Sequence, residues 1–371
     1  MPERVVLILG GYGTFGSLIA DSLARHPELS LIIAGRNLNA AATKAKAIPH
    51  GRGRALGVDV ITSQGLEQIV AARPAVVVDT VGPFQSRDLR LARQCALNGI
   101  HYVDIADARE CVAGITELDS VARANGVAVI SGASTVPAIT TAMVDDLVSE
   151  PFDVLEIEVG ITPGHRAPRG LATVRSILSK CGKPIPAVSD GVEYGWGGLT
   201  RHRYPSPIGS RWLSNVDTPE RELWRDRYPS LRNASIRAGL AITPLHLGLS
   251  VASRVVRAGL ISSLAPSAAL AIRIADLFNA FGSDTGGMHV RVVARGAANG
   301  PIVRRGTLIA EKGDGPQVPA SPAALIVKKL LGLPGYAPIG IRGAHPCMGF
   351  LSREEIFEEL SPFAIRFMRE G

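Results

Sequence analysis

Three glycines at a fixed spacing, Gly11, Gly13 and Gly16, carry the clearest chemical signal in this chain. They lie in GGYGTFG, between the apolar run RVVLIL and an amphipathic stretch. Between a strand and a helix, G-x-G-x-x-G suits a dinucleotide pyrophosphate. The first glycine permits the tight turn, the second lets phosphates approach the backbone, and the third lets helix and strand pack closely. The helix N-terminus adds N–H groups and the positive end of its dipole. Gly10, Tyr12, Thr14 and Phe15 complete the candidate loop. A glycine turn without a ligand is the alternative, and a βαβ setting weighs against it. About twenty residues past such a loop, an NAD site places an acidic side chain on the ribose 2′-hydroxyl. Here the chain reads AGRN, with Arg36 and Asn37. An arginine there pairs with a 2′-phosphate and stacks on adenine, so NADP(H) is the expected cofactor.

Other candidates fall at the ends of strand-like runs. Asp59 follows ALGV, and Val81, Gly82 and Pro83 leave VVVDT, where the chain must pass the dinucleotide. Asp104 and Asp107 end HYVDIAD and are candidate catalytic residues, with capping of the next helix as the alternative for Asp107. Ser134 and Thr135 follow the next run and are candidate substrate contacts. Further on, PGHRAPRG precedes a helical pattern. Its Arg166, Arg169 and Gly170 make a candidate carboxylate or phosphate receptor at a helix N-terminus. His165 beside them is the candidate acid/base, since imidazole titrates near neutral pH. His289 with Arg291, and His202 with Tyr204, either wall the same pocket or face solvent. His345 is expected in a connecting loop.

These residues need elements to hold them. Runs at 4–9, 29–35, 55–60, 75–82, 101–107 and 126–132 read as short apolar strands. They alternate with helical patterns at 13–25, to about 73, at 86–98 and at 112–125. That alternation is the signature of an α/β fold, a doubly wound parallel sheet covered on both faces, with ligands outside the carboxyl ends of its strands. A second domain follows: VLEIEVGIT alternates as a half-buried strand, and 288–296 with 304–311 read as an antiparallel pair joined through AANGPIV. A helix spans 320–331, and Ser352-x-x-Glu355 is a capping box opening a last helix. The expected division is residues 1–140, completed by 332–371, around a domain at 141–331.

The chain's 371 residues, 46% hydrophobic and 20% charged, suffice for two cores. A net charge of +7 suits a phosphorylated cofactor or an anionic substrate. The basic stretch from Arg201 also holds Asp217, Glu220, Glu222 and Asp226, a solvated face rather than a nucleic-acid stripe. No nucleic-acid partner is expected. The four cysteines form no CxxC pair, and no histidine spacing suggests a metal. A reducing cytoplasm fits, and an apolar strand within five residues of the start leaves no room for a signal peptide. Residues 238–280 are strongly apolar, but Arg254, Arg257, Arg273, Pro244 and Pro266 interrupt them. No span is expected; core, interface, lipid pocket and peripheral membrane contact stay open.

Taken together, GGYGTFG, AGR, VVVDTVGPFQ, HYVDIADA and ISGASTVPAIT, in that order, resemble the NADP-binding domain of the saccharopine dehydrogenase family. The resemblance covers about the first 140 residues and thins to an outline beyond. It implies a Rossmann domain, a second α/β domain on a mixed sheet, a homodimer and pyridine-nucleotide chemistry, with the 165–170 segment toward the nicotinamide. The expected function is an NADPH-dependent oxidoreductase delivering hydride to a C=N or carbonyl of a small anionic substrate. An enoyl (C=C) reductase of lipid-like substrates and a non-catalytic NADP-binding scaffold or sensor are the rivals. No tyrosine has a lysine four residues on, so the tyrosine–lysine relay of short-chain reductases is absent.

Overall fold

The computed structural model describes residues 4–86, 88–148, 153–187, 191–296 and 300–370. It divides into two compact units, 1–139 with 317–351, and 140–316 with 352–371.

The first unit is built on a seven-stranded parallel sheet. Its strands are β1 (Arg4–Leu9), β2 (Leu29–Gly35), β3 (Gly53–Gly57), β4 (Val76–Asp79), β5 (His101–Asp104) and β6 (Ala128–Ser131), joined near the end of the chain by β15 (Gly343–Pro346). The order is β15-β6-β5-β4-β1-β2-β3. Succession runs outward in opposite directions from the β1–β4 pair, which makes that pair the switch point where doubly wound sheets bind ligands. Val6–Leu9, all of β2 and all of β4 are buried, as continuous apolar strands must be when helices cover both faces. The helix expected at 86–98 forms at Arg90–Leu97, residue 87 lying outside the described residues. The one expected at 112–125 forms as Arg109–Gly114 and Asp119–Ala124, separated by a tighter turn. Strand β5 stops at Asp104, whose carboxylate turns back to accept the Ala106 N–H at 2.9 Å and so takes the chain off the ladder. Helix Gln317–Leu330 packs against helix Thr14–Ala24, and Arg4 donates to the Leu331 carbonyl at 2.5 Å. His345 lies within β15, opposite Ile130, and not in a loop.

The second unit holds β7 (Asp153–Thr162), a two-stranded pair β8 (Pro184–Pro186) and β9 (Val192–Tyr194), then β10 (Thr200–Arg203), β11 (Ser210–Asn215), β12 (Asn233–Ala238), β13 (Gly286–Arg295), β14 (Pro301–Ala310) and, last in the chain, β16 (Ile365–Glu370). Its main sheet runs β10-β11-β12-β7-β13-β14-β16 and is mixed, with β12 and β7 parallel and the remaining pairs antiparallel. Residues 297–299, in the expected β13–β14 connection, lie outside the described residues. Helix Thr140–Leu147 packs on the face of β14 that carries Gly306.

The last helix, Arg353–Leu360, does open with the Ser352–Glu355 capping box. It does not return to the first unit as the 332–371 expectation had it. Arg353 and Arg369 both pair with Asp146, and β16 extends the mixed sheet beside β14, so ion pairs and a strand ladder hold residues 352–370 to the second unit. The apolar 238–280 region folds as amphipathic helices Thr243–Arg257 and Ala268–Leu277. No described helix is long and apolar enough to cross a membrane.

One buried carboxyl gives this unit a pH signature. Glu220 accepts the Thr140 hydroxyl at 2.7 Å, and burial pushes it up to about 7. The folded chain therefore keeps this proton over a range where the unfolded chain has released it. Between its ordinary value and about pH 7, Glu220 lowers stability as pH rises, on the order of 3 kcal/mol in all. Replacing it by glutamine removes that slope, so chemical denaturation from pH 4 to pH 8 is expected to show Glu220→Gln gaining on the parent as pH rises.

Candidate functional site

The glycine loop is folded as a tight, self-bonded turn. Gly10 takes a left-handed φ of +72° and donates to the Ala34 carbonyl at 2.8 Å; its own carbonyl accepts the Gly13 N–H at 2.7 Å. A Cβ on Gly16 would stand 2.3 Å from the Gly10 oxygen and 2.6 Å from the Thr80 hydroxyl, so only glycine lets the helix come this close. Helix Thr14–Ala24 has Gly13 as its N-cap, with no side chain bonding the first-turn N–H groups and no acidic residue there. Those groups are left to an anion. Phe15 and Thr14 are half-buried in this first turn.

At the end of β2, an open cleft of about 600 Å³ is lined by Tyr12, Arg36, Asn37, Leu38 and Asn39. The Tyr12 hydroxyl accepts the Asn37 N–H at 3.0 Å, and its ring occupies the space a Cβ on Gly35 would need. The Asn37 side chain caps helix Leu38–Lys46 through the Ala40 N–H, which fixes the cleft wall. Arg36 is exposed and pairs with no carboxylate among the described residues. Asp59 closes a turn after β3, its carboxylate accepting the Ile61 N–H at 3.2 Å. The exit of β4 runs over the loop: Val81 lies against Gly10 and is tied to Asp79 at 3.0 Å, and the following Gly82–Pro83 bond is cis. Glycines without Cβ, an uncapped helix and a free arginine at the adenosine end fit a phosphorylated dinucleotide.

Asp104 is buried and accepts three bonds on one oxygen, from Ser131 at 2.8 Å, Gly132 N–H at 2.8 Å and Ala106 N–H at 2.9 Å. Burial pushes it up to about 6. It joins the carboxyl ends of β5 and β6, so its part is to stiffen the rim of the sheet. Asp107 is half-buried and accepts from Gln85 at 3.3 Å, and Ala108 is the N-cap of the next helix. Ser134 is buried in the turn after β6, and Thr135 opens the segment that continues into helix Thr140–Leu147. Cys95, Cys181 and Cys347 are buried, and burial pushes each thiol up, away from a nucleophilic thiolate.

In the second unit the 165–170 segment differs from its expectation. The His165 Nε2 faces the Ala275 carbonyl at 2.9 Å, so that nitrogen must carry a proton and give it to the backbone. Burial, then the Arg169 charge, lower its pKa. Arg166 donates to the Asn279 carbonyl at 3.0 Å, and Arg169 pairs with Asp276 at 2.8 Å and bonds the His165 carbonyl. The imidazole and Arg169 thus brace helix Ala268–Leu277, and Arg166 the turn after it, to the segment before Gly170, the N-cap of helix Leu171–Lys180. With its Nε2 proton given to the backbone, the ring offers Nδ1 as an acceptor.

Two features were missed from sequence. Thr80 completes the glycine contact, and nothing in VVVDTVG marks it. The other is Glu158, which the mixed sheet brings beside the candidates His202, Tyr204 and His289, whose two imidazoles stack at 3.6 Å. The alternation in β7 puts Glu156 and Glu158 on one side, but which strands lie beside it is a matter of topology.

Gly16→Ala tests the cradle. The added methyl is expected to destabilise the protein by about 1–3 kcal/mol, read as a lowered denaturation midpoint, and to weaken NADPH binding roughly tenfold or more by pushing the helix off the turn.

Residues 6–130 match the family model described as the saccharopine dehydrogenase NADP binding domain. No curated protein matches the sequence. Among solved structures, the fold resembles apo saccharopine dehydrogenase (L-Glu forming) from Saccharomyces cerevisiae, with a TM-score of 0.69 at 14% identity over 99% of this chain and 100% of that one. It also resembles homospermidine synthase from Legionella pneumophila in complex with NAD, with a TM-score of 0.55 at 10% identity over 100% of this chain and 91% of that one. At these identities the likeness is one of fold. The cradle, however, lies inside the matched segment, whose family model describes an NADP-binding domain. Over residues 6–130 this chain is similar to the saccharopine dehydrogenase NADP-binding domain family.

Proposed function

We propose that the chain is an NADPH-dependent reductase acting on a C=N or carbonyl group of a small anionic substrate. The observation that carries the reading is the pairing of the glycine cradle with an exposed, unpartnered Arg36 at the end of β2. The cofactor, when bound, supplies the hydride. The chain's own residues do the rest. Backbone N–H groups from Gly11 to Gly16 take the pyrophosphate, Arg36 takes the 2′-phosphate, and the exit of β4 at Val81–Pro83 limits the cofactor's position. Asp104 holds the β5 and β6 ends rigid around it. The similar fold in yeast is that of a saccharopine dehydrogenase, and the Legionella protein is a homospermidine synthase holding NAD. Both names refer to nitrogen-containing compounds, which supports a C=N group over other acceptors.

A second reading has one observation of its own. Between 247 and 281 the second unit exposes Leu260, Leu277 and Phe281 at 76–80% of their full surface, with Leu247, Val251, Leu270 and Ile274 also exposed. The charged side chains from 243 to 275 are Arg254, Arg257 and Arg273. Such a surface suits an acyl chain or an anionic bilayer, as an enoyl reductase of lipid-like substrates would need.

Fluorescence titration separates NADPH from NADH. The parent is expected to bind NADPH more tightly, and Arg36→Ala to lose roughly 10–100-fold for NADPH with little change for NADH. Equal affinity for both nucleotides in the parent would contradict the assignment. For the second reading, co-sedimentation with phosphatidylglycerol vesicles is expected to fail in Leu277→Ser/Phe281→Ser; an absence of parent binding would remove it.

A further inference from the structure

The mixed sheet of the second unit concentrates unmet hydrogen bonding on one side. Eleven buried side-chain polar atoms among the described residues lack a hydrogen-bond partner, and five belong to residues on this side: Thr162 Oγ1, Arg211 Nε, Asn215 Oδ1, Arg237 Nε and His289 Nε2. Register places them together. Asn215 stands opposite Arg237, Arg237 beside Gly160, and Gly160 opposite His289, a single row across four strands; Thr162 and Arg211 follow at period 2 on their own strands. Helix Thr140–Leu147 covers the other side. The sheet curls enough that His202 on β10 stacks on His289 of β13 at 3.6 Å, so the row lies on a concave surface.

The geometry fixes what each atom offers. The Tyr204 hydroxyl lies 3.0 Å from both the Gly160 carbonyl and His289 Nδ1; with its single proton on the carbonyl, Nδ1 is the donor to it. His289 is 4% exposed, and its Nε2 is left as a lone pair facing Glu158 Oε1 at 3.9 Å, too far for a hydrogen bond. Gly160 makes room for the ring: a Cβ there would stand 2.2 Å from the His289 Cε1. Arg237 Nε therefore sits in one row with two buried acceptors, His289 Nε2 and Asn215 Oδ1, and Arg211 Nε lies on the same side farther along β11, opposite His202. Buried polar groups are almost always satisfied, and a cluster of exceptions with both signs matches a ligand carrying both.

We propose that this concave side of the sheet binds a small carboxylate bearing an adjacent O–H or N–H donor. Arg237 and Arg211 take the carboxylate, while His289 Nε2 and Glu158 share the neighbouring proton. Tyr204 is a positioning residue that holds His289 in its Nδ1–H form. The site deepens the proposed reading by naming where a substrate's polar end is held, and it moves the anion receptor from Arg166 and Arg169 to Arg211 and Arg237.

The test needs no nucleotide, so its failure is distinguishable from failure of NADPH binding. Long-range ¹H–¹⁵N spectra of the full chain at pH 7, assigned with His289→Gln, report the ring directly. The Nδ1–H tautomer is expected, becoming mixed in Tyr204→Phe. Glycolate is expected to shift the His289 signals saturably, acetate at least tenfold more weakly and ethanolamine not at all. Arg237→Gln, with an unchanged melting profile, is expected to abolish the glycolate response. An Nε2–H tautomer in the parent, no response to glycolate, or equal responses to glycolate and acetate would each overturn the proposal. So would dissociation of an oligomer in Arg237→Gln without any probe response, which would assign this side of the sheet to a second copy of the chain.

Discussion

The contact between the first helix and the strand turn beneath it sets the terms for the first unit. Gly16 lies so close to the Gly10 carbonyl and the Thr80 hydroxyl that a single methyl has no place there. That closeness brings the uncapped start of helix Thr14–Ala24 to the carboxyl ends of β1 and β4, the point where the strand order reverses. Every other feature of the nucleotide site is arranged around this approach. Tyr12 leans over Gly35 and holds the Asn37 N–H, Asn37 caps the next helix, and Arg36 is left facing outward. The site is thus a consequence of backbone geometry first and side-chain chemistry second.

The second unit follows a different logic. Its sheet carries apolar residues such as Ile157, Val159, Val290 and Val292 on one side, and charged and aromatic ones on the other. The polar side is not simply solvated: His289, Asn215, Thr162 and Tyr204 are all buried there. Curling of the sheet encloses them, and burial pushes the His202 imidazole down to about 4 and the Tyr204 hydroxyl up. That enclosure keeps the His202 and Tyr204 rings neutral. By contrast, the loop at 165–170, rich in cations, spends its hydrogen bonds on the chain itself.

Sequence made the first unit legible because its signals are local. Continuous apolar runs mark buried parallel strands, the glycine spacing marks the turn, and Arg36 sits at a fixed distance from it. Boundaries blurred where side chains override the pattern, as at Asp104, which ends β5 three residues before the apolar run does. The second unit was legible only in outline. The alternation VLEIEVGIT identifies a two-sided strand, but its parallel neighbour β12 and antiparallel neighbour β13 come from distant positions. His165 looked chemical because of its arginine neighbours in sequence, whereas the spatial neighbour that defines it, the Ala275 carbonyl, lies far along the chain. The C-terminal helix showed its capping box plainly, but Asp146, which decides the unit it joins, could not be read from that motif.

The most direct test of this account is a crystal structure of the protein with NADP⁺ bound. The account requires the pyrophosphate against the backbone of Gly11–Gly16 and the 2′-phosphate against Arg36, with the helix start at Thr14 unmoved. An ordered nucleotide whose 2′-phosphate lies away from Arg36, or whose pyrophosphate is held elsewhere, would contradict it.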